Sequence, residues 1–219
     1  FLFPLCLVLL FDEMAQETMP HVMPALLSGA QLSHLQSQET LGTSQLREAV
    51  KCPACIDQDT WIASQMKEIF LEVVRMVHFL SSFCDDSTCP HMCAGDSVEY
   101  KWAEADGSVT SMPAARYMSR LIEEVDQRLI DQTLVPTDGS PMPPHLRPEL
   151  EKMLRRLFRV YAHAYVHHFG TIQDCDAEAH VNCSFKHFLF FVLEFQLVKI
   201  EEMLPLEGLI RKFAGDMLK

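Results

Sequence analysis

Apolar side chains at Ile62, Met66, Ile69, Phe70, Val73, Val77 and Leu80 recur at steps of three and four residues. That spacing places them on one helical face and predicts a helix over residues 61–83. Met118, Leu121, Ile122, Val125 and Leu129 repeat the pattern over 114–130. Over 149–169 an apolar stripe of Leu150, Met153, Leu154, Leu157, Tyr161 and Tyr165 lies opposite a basic one. Residues 184–197 are apolar nearly all round, which predicts a central, buried helix. A last amphipathic helix is expected over 201–214. Residues 97–112 alternate weakly about Ala105-Asp106-Gly107, and Asp-Gly is a hairpin signal. This is the one place where strands are expected. The loop from Pro136 to Pro148, with Pro141, Pro143 and Pro144 inside it, stops one helix and frames the next. Residues 41–60 read as an extended segment leading into a helix that Asp57 or Asp59 can cap. The sum is an all-α, single-domain helical bundle with a small β-hairpin over 38–219. Residues 1–37 show no clean period and read as a poorly structured N-terminal tail.

Composition supports one folded core: 219 residues, 48% hydrophobic and 22% charged. The opening run Phe1 to Phe11 is wholly apolar but too short to span a bilayer. It lacks the basic start and the cleavage site of a signal peptide. Thirty acids against 18 bases leave a net charge of −12. An acidic surface argues against a nucleic-acid binder and favours a basic protein partner. The expected setting is cytoplasmic, with the nucleus as a second compartment. Eight cysteines could suggest a disulfide framework, but that suits small secreted chains better than a helical one of this size. Ten histidines turn the expectation toward metal in a reducing compartment.

Two groups could hold that metal. Cys84 and Cys89 form a C-x4-C at a helix end, and His163, His167 and His168 cluster on the 149–169 helix. Two thiolates and two imidazoles make a closed tetrahedral zinc site of the structural kind, tying two helices together. The plain alternative is that the buried cysteines are small hydrophobes. Spacing favours His163 with His167, which share a face at i,i+4, whereas His168 at i+5 lies well round the helix. Cys52-Pro53-Ala54-Cys55 is a rival thiolate pair that could complete an all-cysteine site with Cys84 and Cys89. A hydrolytic metal helix would read H-E-x-x-H. Here Ala164, Tyr165 and Val166 stand between the histidines, so no carboxylate is placed to activate water. A metal-dependent hydrolase is therefore the weaker reading.

Arg147, Lys152, Arg155, Arg156 and Arg159 put five of the 18 bases into one short stretch. The last four relate by i,i+3 and i,i+4 and so share a face. Arginine forks suit phosphate, and a solvated, ion-paired helix face is the bland alternative.

The run Leu154-Arg155-Arg156-Leu157-Phe158-Arg159-Val160-Tyr161-Ala162-His163-Ala164-Tyr165 resembles the zinc-binding helix of Mob proteins. Phe83-Cys84 through Cys89-Pro90, followed by Tyr100-Lys101-Trp102, resembles their cysteine loop and hairpin. Ala179-His180-Val181-Asn182, Ser184-Phe185-Lys186-His187-Phe188, Thr40-Leu41-Gly42, Leu46-Arg47-Glu48-Ala49-Val50 and Trp61-Ile62-Ala63 are similar to further family signatures. The resemblance spans about residues 38–214 and is closest to the kinase-activating branch. It implies a structural zinc on Cys84, Cys89, His163 and His168, overriding His167. It also implies a phosphothreonine pocket of Arg155, Arg156 and Arg159 for an upstream kinase or scaffold. An acidic face with Trp61, Asp57 and Asp59 would bind a basic helix of NDR- or LATS-type kinases in Hippo or mitotic-exit signalling. The implied role is a non-catalytic co-activator. Other Mob branches imply the alternative of a scaffold subunit in a phosphatase–kinase complex. The acidic run before Trp61 is altered here to Cys55-Ile56-Asp57-Gln58-Asp59-Thr60, and Cys52, Cys55 and residues 1–37 have no family counterpart.

Overall fold

In the computed structural model, which describes residues 42–218, the first element of the described residues is a short helix where extended backbone was expected, α1 (Thr43–Val50). Leu46 and Val50 are buried, and Arg47 donates to Asp216 at 2.5 Å and to the Phe213 carbonyl at 3.1 Å. These partners come from the far end of the chain, so a local pattern could not announce the helix. The expected tail over residues 1–37 and the apolar opening run lie outside the described residues.

The α2 helix (Gln58–Leu80) is capped by Asp57, whose carboxylate accepts the Thr60 N–H at 3.0 Å. Ile62, Met66, Ile69, Phe70, Val73 and Leu80 are buried as the spacing predicts. The hairpin forms at Asp106-Gly107. Its strands β1 (Trp102–Ala103) and β2 (Val109–Thr110) are antiparallel, with Trp102 opposite Thr110. Gly107 sits at φ +85°, a left-handed conformation that glycine adopts without strain. The α3 helix (Ala114–Ile130) matches its expected span. The α4 helix (Leu146–His167) starts earlier than predicted, because Pro148 falls in the first turn, where its missing N–H breaks no helical bond. It is followed by α5 (Phe169–Asp174) and α6 (Glu178–Glu194). The single helix expected over 201–214 is replaced by two pieces, a 3-10 helix (Ile200–Leu206) and α7 (Glu207–Ala214). Pro205 lies in the first piece. Without an N–H, and with its ring against the preceding turn, it does not fit a continuous α-helix.

The α6 helix is the core of the bundle. Phe185, Phe188, Leu189, Phe190, Phe191 and Val192 are all fully buried. Rings of Phe158 and Tyr161 on α4 meet Phe185 and Phe188 with centroids 5.2–6.4 Å apart. No helix among the described residues is long and apolar enough to cross a membrane.

One polar link runs through this interior. His187 Nδ1 on α6 lies 2.8 Å from Glu72 Oε1, and His187 Nε2 lies 3.2 Å from Gln65 Oε1, both partners on α2. Burial works against charge on the imidazole, but the Glu72 carboxylate outweighs it, and the net displacement is upward. A folded-state value above the unfolded one stabilises the fold fully below about pH 6.5 and fades as pH rises through the folded value. The stability advantage of the native chain over Glu72→Gln should therefore shrink as pH rises above about 6.5. Urea denaturation at several pH values measures it, and a constant difference would refute the link.

Candidate metal centre and arginine corner

The C-x4-C loop is a tight turn built by Asp85. Its carboxylate accepts the Ser87 and Thr88 N–H groups, each at 2.8 Å, and the Ser87 hydroxyl at 2.7 Å. These bonds, the Ser87 hydroxyl foremost, hold Asp85 down to about 2. The turn folds Cys89 back toward Cys84, which itself closes the end of α2 through its N–H to the Leu80 carbonyl at 2.8 Å. Opposite them stands the C-terminal end of α4.

Cys84 Sγ lies 3.5 Å from His163 Nε2, and Cys89 Sγ lies 3.3 Å from His168 Nε2. The two Nε2 atoms are 3.2 Å apart, and all four donor atoms lie within 4.8 Å of one another. A tetrahedral ion with bonds of about 2.3 Å to sulfur and about 2.0 Å to nitrogen has sulfur–nitrogen edges near 3.5 Å and nitrogen–nitrogen edges near 3.3 Å. The cluster matches those edges, so it could hold a metal ion. His163 Nδ1 is 2.8 Å from the Cys93 carbonyl, which can only accept. The proton is therefore on Nδ1, and Nε2 presents its lone pair to the cluster. Burial pushes the Cys84 thiol up to about 12, with help from Cys89, and pushes His163 down to about 4. Neutral imidazoles suit a cation, and a divalent ion reverses the thiol preference by displacing its proton.

The structure places the two adjacent histidines in different groupings: His168 joins Cys84, Cys89 and His163 in the buried four-donor cluster, and His167 joins His163 and Cys93 in a more exposed group of three. The helix ends at His168, where φ is −125° and ψ is 6°. An i+5 residue that has left helical geometry is free to swing its ring back beside His163. His167 remains in the helix, with its ring centroid 4.8 Å from that of His163. Its Nε2 accepts the Gly95 N–H at 3.1 Å and lies 3.3 Å from Cys93 Sγ. Cys52 and Cys55 join neither Cys/His grouping among the described residues, which removes the all-cysteine alternative. The Cys52 thiol instead faces the Ile56 carbonyl at 3.4 Å. Cys93, given no role by the sequence reading, supplies the carbonyl that orients His163. A backbone contact of that kind leaves no mark in residue type.

The basic stripe divides. Arg156 pairs with Glu124 of α3 and lies over the Trp102 ring, 4.0 Å from its centroid. Arg159 Nη1 donates to the Tyr117 hydroxyl at 2.6 Å and covers the Tyr100 ring at 5.1 Å. Arg155 turns to Glu202 of the 3-10 helix at 3.5 Å, and Lys152 pairs with Glu149 at 2.7 Å. The shared face expected from the spacing thus splits between the hairpin side and the 3-10 side. Arg120 of α3, absent from the sequence reading, joins the hairpin side, with its guanidinium 4.5 Å from the Trp102 centroid. It sits on a different helix from the stripe, so no spacing could associate them.

Trp61 is half-buried and donates from Nε1 to the Val50 carbonyl at 2.8 Å, joining α1 to α2. Asp57 is engaged as the helix cap, and the Thr60 N–H and hydroxyl hold it below its ordinary value. Asp59 lies in the first turn of α2.

A helical bundle in which two thiols from the loop after α2 converge with two imidazoles at the end of α4 defines the class: a helical domain with a candidate Cys2His2 metal centre. The sequence model of the Mob1/phocein family matches residues 38–206. The chain is 42% identical over 188 residues to a Medicago sativa subsp. falcata protein named MOB kinase activator-like 1A, covering 83% of this chain and 86% of that one. It is 39% identical over 193 residues to MOB kinase activator-like 1A of Arabidopsis thaliana (85% and 88%). It is 40% identical over 174 residues to MOB kinase activator-like 2A of the same plant (77% and 79%). This chain belongs to the Mob1/phocein family.

The geometry separates the two adjacent histidines by experiment. His168→Ala should weaken Co2+ binding and lose the native d–d absorption pattern of the site, while His167→Ala should keep both at full stoichiometry. Equal loss in both variants would remove the assignment.

Proposed function

We propose that this chain is a non-catalytic co-activator of serine/threonine kinases of the NDR/LATS type, acting in Hippo or mitotic-exit signalling. The observation that carries the reading is its likeness, over 83% of its length, to a protein named as a MOB kinase activator. A net charge of −12 supports a basic kinase segment as the partner. The contact surface on this reading includes Trp61, Asp57 and Asp59 at the start of α2. The arginine corner suits a phosphothreonine peptide of an upstream kinase or scaffold, since guanidinium forks match phosphate oxygens. Arg155, Arg156 and Arg159 are its expected cations. The setting on this reading is the cytoplasm and the nucleus.

The ion held by Cys84, Cys89, His163 and His168 is zinc on this proposal. Two sulfurs and two imidazole nitrogens with near-tetrahedral edges suit that metal, and four protein donors make a closed, structural site. When bound, the ion supplies a cross-link between helix ends and no reaction. A carboxylate to serve as base is also missing from the cluster, whose four members are two cysteines and two histidines.

Two outcomes are expected. The chain should bind the basic N-terminal segment of an NDR-type kinase in a salt-sensitive manner and raise that kinase's activity. Calorimetry at low and high salt, with a kinase assay, measures both, and no binding at low salt would overturn the partner. Chelation at neutral pH should lower the melting temperature by several degrees or more, reversibly on adding Zn2+. An unchanged melt would remove the structural ion.

A further inference from the structure

The arginine corner carries one feature that the phosphopeptide reading alone does not explain. Three elements meet there: the hairpin brings Tyr100 and Trp102, α3 brings Tyr117, Arg120 and Glu124, and α4 brings Arg156 and Arg159. The cations are not equivalent. Arg120 is held bidentately by Glu104 at 2.7 and 2.6 Å, and Arg156 is held by Glu124. Arg159 touches a hydroxyl and a ring and is paired with no carboxylate. Beside it the Tyr100 hydroxyl is buried and has no hydrogen-bond partner. A guanidinium without a carboxylate partner, next to a buried hydroxyl without a hydrogen-bond partner, leaves donors open to an anion.

Glu124 is built to leave. Its side chain is 46% exposed, whereas that of Arg156 is 23% exposed and lies on Trp102. The arginine packs on the indole, and the glutamate is the more exposed half of the pair. Arg120 lies one turn before Glu124 on the same helix and acts on it electrostatically, so a displaced carboxylate has a second cation within reach.

We propose that Glu124 is an intramolecular stand-in for a phosphate: it occupies Arg156 until a phosphothreonine peptide displaces it and lies across Arg156 and Arg159, with the Tyr100 hydroxyl donating. The inference rests on the phosphopeptide reading and refines it in two ways. Arg156, Arg159 and Tyr100 form the part of the pocket that Glu124 guards, while Arg155 pairs with Glu202. The ligand must be a true phosphate. Its charge of about −1.5 to −2 and its three acceptor oxygens exceed what Glu124 offers, while a glutamate mimic merely exchanges one carboxylate for another. The corner therefore discriminates phosphate from carboxylate through its own carboxylate.

The test uses the metal-loaded chain and three fluorescent peptides that differ at one position: phosphothreonine, threonine and glutamate, flanked by neutral residues. The native chain should bind the phosphopeptide alone. Glu124→Gln should bind it about threefold to tenfold tighter and should gain measurable affinity for the glutamate peptide. Glu124→Ala gives a second readout with the hydrogen bond removed, and melting curves confirm that both variants fold. Arg159→Ala should abolish phosphopeptide binding. If the native chain binds phosphopeptide and neither Glu124 variant binds it tighter, the stand-in role is overturned and the phosphopeptide reading survives. If neither the native chain nor the Glu124 variants bind phosphopeptide at all, the phosphopeptide reading itself falls.

Discussion

The structure depends on how four buried donors are satisfied where the end of α2 meets the end of α4. Cys84, Cys89, His163 and His168 are all buried, and their donor atoms converge on one point. Lone pairs aimed at a common centre in a dry interior repel one another, and thiols give only weak hydrogen bonds. A single cation resolves the conflict by neutralising the thiolates and receiving every lone pair. On the proposed reading the same four atoms, a polar defect without an ion, become a cross-link between helix ends with one.

That cross-link reaches further than its own ligands. Cys89 accepts the Ala114 N–H at 3.0 Å, which fixes where α3 begins. The Cys93 carbonyl accepts the Nδ1–H of His163. Between them Met92 pairs with Met112 and Tyr100, at 3.0 and 2.7 Å, and so anchors the base of the hairpin. The hairpin then delivers Tyr100 and Trp102 to the arginines. The metal cluster and the arginine corner are two ends of one short, hydrogen-bonded segment, residues 89–114. Geometry at the cluster sets the platform on which Arg120 and Arg156 lie.

The interior shows a second balance. The phenylalanines of α6 make a core that excludes water, and the His187–Glu72 pair crosses it as a hydrogen-bonded polar link to α2. A pair of this kind adds little net stability but is costly to break from one side. It fixes the register of α6 against α2, since only one alignment brings His187 to both Glu72 and Gln65.

Much of this architecture was legible along the chain, because burial on one face leaves a period in the residues. The spans of α2 and α3, the hairpin at Asp106-Gly107 and the all-round apolar α6 follow from that period, and the Cys and His residues of the cluster were visible as residue types. Resemblance to the Mob family, more than spacing, pointed to His168. Spacing assumed an unbroken helix, and the break at His168 is a backbone event. The α1 helix, stabilised by Asp216 and Phe213 far along the chain, left no local trace. The division of the arginines between Glu124 and Glu202, and the entry of Arg120, were also invisible. A one-dimensional pattern reports which face of an element is buried. It does not report which other elements lie against that face, and partners brought together from separate helices are chosen only when the chain packs in three dimensions.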